Sequence, residues 1–117
     1  MTRTLKILAF QAFVLLSAAV LLTTVAERAK AAAPSAASVE IANFTFKPQS
    51  LTVKSGTTVT WTNADDIPHT VVSKDGVFKS KVLDTGDKFS FTFAKPGQFG
   101  YFCSIHPHMT GTIIVKA

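Results

Sequence analysis

Phe89-Ser90-Phe91-Thr92-Phe93, the turn Lys95-Pro96-Gly97, and then Phe99-Gly100-Tyr101-Phe102-Cys103 decide the fold. Large apolar side chains recur at every second position on both sides of a Pro-Gly turn. Successive side chains of a strand point to opposite faces, so a period of two marks strands with one face buried. The same pattern continues outward. Residues 111–116 put Ile113 and Val115 on one face and Ile114 on the other. Upstream, residues 57–62 are dense in β-branched side chains around Val59 and Trp61, and Leu51 and Val53 form a short strand after Lys47-Pro48-Gln49-Ser50. Val39 and Ile41 alternate with polar residues. Phe44 and Phe46 continue that alternation on a shifted register, which predicts a β-bulge near Asn43. Ser55-Gly56 and Lys74-Asp75-Gly76 mark turns, Asp84-Thr85-Gly86-Asp87 a loop, and residues 77–83 read as irregular. No helical periodicity of useful length follows Pro34. Short strands with regular turn signals imply an all-β sandwich or barrel. Eight of the ten phenylalanines lie after Pro34, and Phe89, Phe91, Phe93 and Trp61 are assigned to its core.

The first third of the chain is different. Arg3 and Lys6 precede an uncharged, mostly apolar run over residues 7–26, followed by Glu27-Arg28-Ala29-Lys30-Ala31-Ala32-Ala33-Pro34. A basic start, an apolar run and a small-residue exit read as an export signal, with cleavage after Ala31 or nearby. The run is also long enough to serve as a membrane anchor. The small-residue exit favours cleavage, and in either case the basic start directs the remainder to the far side of the membrane. The expected organisation is a signal peptide or anchor with linker over residues 1–33 and one folded domain over residues 34–117. Localisation is expected to be periplasmic. Residues 1–33 hold four basic residues and one acid. The rest holds eight lysines and six acids, a net charge of +2 with the lysines scattered. A polyanion binder needs a basic stripe, so nucleic-acid binding is not expected.

Cys103 is the only cysteine, so no intramolecular disulfide can form, and an unpaired thiol in an oxidising compartment calls for a reason. Its neighbours supply one. Cys103-Ser104-Ile105-His106-Pro107-His108-Met109 carries a thiol, two imidazoles and a thioether on one loop between two strands. His69 ends a second polar loop, Asn63 to Pro68. Loops of a sandwich cluster at its ends, where these two can meet. Thiolate and thioether are soft ligands, and imidazole suits copper and zinc. Two His and one Cys with a weak axial Met is the electron-transfer copper arrangement. Structural zinc sites more often use at least two thiolates, and a hard cation would want carboxylates that this loop lacks. His108 has no place in a four-donor set and reads as a surface residue or a support to the site. Asp65 and Asp66 read as a solvated loop with a secondary reading as a docking guide.

These residues resemble the small type 1 (blue) copper proteins of the cupredoxin family. The resemblance runs from Phe46-Lys47-Pro48-Gln49-Ser50-Leu51-Thr52-Val53 and Gly56-Thr57-Thr58-Val59-Thr60-Trp61-Thr62-Asn63, through Ile67-Pro68-His69-Thr70-Val71, to Tyr101-Phe102-Cys103 and its loop. The two-residue gaps from Cys103 to His106 and from His106 to Met109 are similar to the amicyanin branch. The plastocyanins and pseudoazurins have a longer gap before Met. The resemblance implies a Greek-key β-sandwich binding one copper ion. Its equatorial ligands would be His69, Cys103 and His106, and Met109 would be axial. It also implies an electron port at His106 within an apolar patch that includes Pro68, Ile105 and Pro107. In one departure, Thr70 stands where many relatives have an Asn that ties the two ligand loops together.

The function this implies is transfer of single electrons between redox partner proteins by Cu(II)/Cu(I) cycling. The chain is expected to be a monomer with transient partners. An amine dehydrogenase and a c-type cytochrome are those the amicyanin-like loop suggests. No small-molecule substrate is expected, and no enzymatic activity: a Cys–His nucleophile pair can be drawn, but no Asp or Asn stands near to orient it. A multicopper enzyme would need more than three histidines. The alternative is a periplasmic copper chaperone or storage protein, which would use a more open site.

Overall fold

The computed structural model describes residues 35–117; the signal or anchor segment expected over residues 1–33 lies outside them. Eight strands follow in order: β1 (Ala36–Ala42), β2 (Thr45–Lys47), β3 (Ser50–Lys54), β4 (Thr57–Asn63), β5 (Val72–Ser73), β6 (Lys88–Phe93), β7 (Gly97–Phe102) and β8 (Thr110–Lys116). They form two four-stranded sheets, ordered β2-β1-β4-β6 and β3-β8-β7-β5. This is the expected all-β sandwich, with no helix among the described residues. Two pairings are parallel, β1 with β4 and β3 with β8, and the rest antiparallel. Parallel neighbours cannot be joined by a tight hairpin, so the chain crosses between sheets.

Alternation sets the core. Strand β4 buries Thr57, Val59, Trp61 and Asn63 on one face. Val39 and Ile41 of β1, Phe93 of β6, Tyr101 of β7 and Ile113 and Val115 of β8 meet them. Trp61 is wholly buried among aromatic rings, with centroids 5.4 Å from Tyr101, 5.6 Å from Phe78 and 5.7 Å from Phe89. Of the β6 phenylalanines only Phe93 is fully buried. Phe89 and Phe91 are half-buried against the core, because β6 is an edge strand covered on one side only. The irregular segment before β6 contributes more than its sequence suggests, burying Phe78 and Leu83.

The bulge expected near Asn43 is instead a hairpin turn. Ala42 pairs with Thr45, leaving Asn43 and Phe44 as a two-residue loop with φ of 50° and 57°. A two-residue β-hairpin favours positive φ at both central positions because that twist matches its strands. Asn tolerates this conformation, but Phe does not, and a bulky residue there costs roughly 1–3 kcal/mol. A Gly would have announced the turn, and Phe concealed it.

Candidate metal centre

The loop that carries His69 is built on Asn63, the last residue of β4. Its buried side chain donates to the carbonyls of Ile67 and Leu83, both at 2.9 Å, and its Oδ1 accepts the Asp65 N–H at 2.9 Å. Three bonds from one amide thus shape residues 64–68. His69 is then fixed by a reciprocal backbone pair with Leu83, at 3.0 and 2.8 Å, and its ring is fully buried.

The second loop joins β7 to β8. The His106 N–H donates to the Cys103 carbonyl at 3.2 Å, and the Met109 N–H to the His106 carbonyl at 2.9 Å. The Cys103 N–H donates to the Met109 carbonyl at 3.0 Å, closing the loop. The two-residue gaps noted in the sequence are therefore two successive tight turns. Cys103 and Met109 are buried, His106 is half-buried, and Ile105, Pro107 and His108 are exposed.

The two loops bring three of the four sequence-derived donors together. One ligand atom each from His69, Cys103 and His106 lies within 4.8 Å of the others. Both imidazoles present Nδ1 to the sulfur, each at 3.7 Å from Sγ. Met109 sits buried where the same loop ends. His108 stands apart from the cluster, exposed as expected. Thr70 ties the loops to each other. Its N–H donates to Cys103 Sγ at 3.4 Å, and its hydroxyl oxygen accepts the Ser104 N–H at 2.8 Å while lying 2.7 Å from Ser104 Oγ. A hydroxyl thus bridges the two segments. Burial pushes the Cys103 thiol up, but the Thr70 N–H, the two imidazoles and the Ile105 N–H together outweigh it and bring the pKa down to about 6. The thiol is held ready as a thiolate, the form that binds metals.

Two residues at this site carried no such signal in the sequence. Asp65 is not simply solvated: its Oδ2 lies 2.8 Å from His69 Nε2, and its carboxylate accepts the N–H groups of Asn43 at 2.7 Å and Phe44 at 3.1 Å. Burial raises its pKa, but those two backbone donors and the His69 ring dominate and leave it lowered. Phe44 is 55% exposed, yet its ring stands edge-on to both imidazoles, with centroids 5.7 Å from His69 and 5.1 Å from His106. An acid four residues before a candidate ligand histidine was the available hint for Asp65. Nothing local could have placed Phe44.

The donor chemistry fits a copper ion. One thiolate, two imidazoles and a nearby thioether make a soft-to-borderline set; among the described residues the grouped donor atoms include no carboxylate oxygen, which calcium would need. With Asp65 engaging Nε2 of His69, Nδ1 is the ring nitrogen left to serve a metal ion.

The comparisons with known proteins agree with this geometry. Residues 13–115 match the family described as the cupredoxin-like domain. Among curated relatives, amicyanin-alpha of Methylorubrum extorquens is 35% identical over 83 residues, covering 67% of this chain and 70% of its own. Plastocyanin of Scenedesmus fuscus is 34% identical over 84 residues, covering 61% of this chain and 86% of its own. The chain spans 63–70% of the length of the amicyanins it matches. Among solved structures, a purple cupredoxin from Nitrosopumilus maritimus superposes with a TM-score of 0.65 at 36% identity, covering 68% of this chain and 99% of its own. The match runs across both sheets and both donor-bearing loops, and so the chain belongs to the cupredoxin-like domain family.

Proposed function

We propose that this protein carries single electrons between redox partner proteins outside the cytoplasm. A type 1 copper ion would be held by His69, Cys103 and His106 in the equatorial plane and by Met109 on the axis. The observation that carries this reading is the meeting of two imidazole Nδ1 atoms and a buried thiol within 4.8 Å. Amicyanin and plastocyanin, to which the chain is similar, are electron carriers. When bound, copper supplies a one-electron couple. The protein's own part is to hold the donors still, since a carrier that rearranges on each transfer is slow. Three features support that role. Cys103 and His69 are fully buried, each loop is closed by its own hydrogen bonds, and Thr70 joins the two loops. A buried thiolate within a closed set argues against a chaperone or store that must release its cargo.

His106 is the half-buried member of the set; the exposed Phe44 packs edge-on against its ring, and the exposed Ile105 precedes it in sequence. A partner would dock there through a small interface, as weak redox encounters do, and no substrate is required. Residues 1–33 would export the chain to the periplasm or anchor it there, and residues 34–117 would form the copper domain.

The test is metal analysis and a visible spectrum of the purified protein. One copper per chain and intense blue colour from the Cu(II)–thiolate bond are expected. Cys103→Ser should abolish the colour and leave a folded protein. Colour that survives this substitution would remove Cys103 from the site and the proposal with it.

A further inference from the structure

The carboxylate of Asp65 has three donors converging on it from two separate segments. His69 Nε2 lies 2.8 Å from Oδ2, the Phe44 N–H donates to the same oxygen at 3.1 Å, and the Asn43 N–H donates to Oδ1 at 2.7 Å. The side chain is 13% exposed, so these bonds are partly shielded from water. Its backbone is pinned as well. The N–H donates to Asn63 Oδ1 and the carbonyl accepts the Thr85 hydroxyl at 2.6 Å. A carboxylate so restrained has one orientation to offer His69.

We propose that Asp65 is a positioning residue for the copper site: it holds His69 in the Nε2–H tautomer, aims Nδ1 at the metal position, and through its negative charge favours the oxidised ion. The inference rests on the copper reading above. A carboxylate that accepts the outer N–H of a ligating imidazole increases the basicity of the ring. A more basic ring stabilises Cu(II) more than Cu(I), which lowers the reduction potential. The same carboxylate steadies the Asn43–Phe44 turn, whose positive φ values need such support, and thereby keeps the Phe44 ring against both imidazoles. One side chain thus sets the orientation of the buried imidazole and the position of the ring that covers it.

The test starts with the unsubstituted protein. Nitrogen-15 chemical shifts of the metal-free chain should report His69 as the Nε2–H tautomer, with a slowly exchanging Nε2 proton. An Nδ1–H tautomer overturns the proposal. Next, Asp65→Asn keeps the shape and removes the charge. Its copper form should remain blue, while its midpoint potential at pH 7 rises by the equivalent of about a tenfold loss of preference for Cu(II), about 59 mV for one electron. Thr85→Val loosens the same loop without touching the carboxylate, so its potential should stay at the wild-type value. If Asp65→Asn is blue with an unchanged potential, or if Thr85→Val shifts it equally, Asp65 has no specific role and the electron-carrier reading still stands. A wild-type chain that takes up copper without blue colour overturns both.

Discussion

The two histidines that face Cys103 are equidistant from its sulfur and otherwise unlike. His69 is fully buried, bonded through its backbone to Leu83 and through its ring to Asp65. His106 stands half-buried on a seven-residue loop, and its ring has no hydrogen bond other than the sulfur contact among the described residues. One is built into the sandwich; the other is carried by a loop whose Ile105, Pro107 and His108 are exposed. The difference divides the work. Under the proposed function, the fixed donor would hold the geometry and the accessible donor would give electrons a way out. The covering ring of Phe44, in contact with both, belongs to the surface that a partner would meet.

Removing each ring in turn is the most severe way to break this comparison. His69→Gly should empty a buried, aromatic-sized site and destabilise the metal-free protein by roughly 3–5 kcal/mol. It also takes one of three donors from the Asp65 carboxylate. His106→Gly should cost about 1 kcal/mol, because a half-exposed ring removes little burial. Copper colour should return to His106→Gly on adding free imidazole, which can reach the gap from solvent, and should not return to His69→Gly. Denaturant unfolding and titration with imidazole measure both. Equal cost and equal rescue would mean that the two positions are equivalent and that the burial difference has no functional weight.

Much of this was legible in the sequence, and the parts that were not share a cause. Alternation announced β1, β6, β7 and β8 because burial on one face imposes a period of two, and density in β-branched residues announced β4. The spacing of Cys103, His106 and Met109 was readable because donors on one short loop must be near one another. That His69 would face them depended on which sandwich end each loop reaches, which the sequence answered only through family resemblance. The parallel pairings of β1 with β4 and β3 with β8 left no local trace, since a strand's pattern records which face is buried and not which neighbour it joins. Asp65 was hidden because an acid in a polar loop looks the same whether it meets water or an imidazole. Phe44 was hidden because its alternation with Phe46 mimics a strand, while its true conformation runs against its own preference.

Thr70 sharpens the comparison from the side of the buried arm. Its hydroxyl is the tie between the segment of His69 and the loop of His106. Thr70→Val keeps the volume and the N–H bond to sulfur but leaves the Ser104 N–H without its acceptor. Loss of a partly buried acceptor should cost about 1–3 kcal/mol in the metal-free protein. The blue band should persist, since no donor is removed, and Thr70→Asn should restore the lost stability by offering an amide oxygen instead. Full stability in Thr70→Val would show that the loops are held by their own internal bonds and that the exposed arm does not lean on the buried one.

The smallest effect tests whether rigidity at the buried arm extends into the core beneath it. Tyr101 lies two residues before Cys103, fully buried, and its hydroxyl has no hydrogen-bond partner. The Trp61 N–H nearby is likewise unpaired, close enough to temper the phenol but outside hydrogen-bonding geometry. A buried polar atom left unpaired is a cost, so Tyr101→Phe should stabilise the fold by about 1 kcal/mol at neutral pH. Burial pushes the phenol from 10.0 up to about 12. The unfolded chain therefore ionises first, and the wild type should lose stability as pH rises from 10 toward 12. The Phe variant should lack that tyrosine contribution to the loss, and its reduction potential should match the wild type. A shifted potential would place this core hydroxyl within the machinery that fixes His69 and Cys103, and the boundary between fixed arm and core would have to move inward.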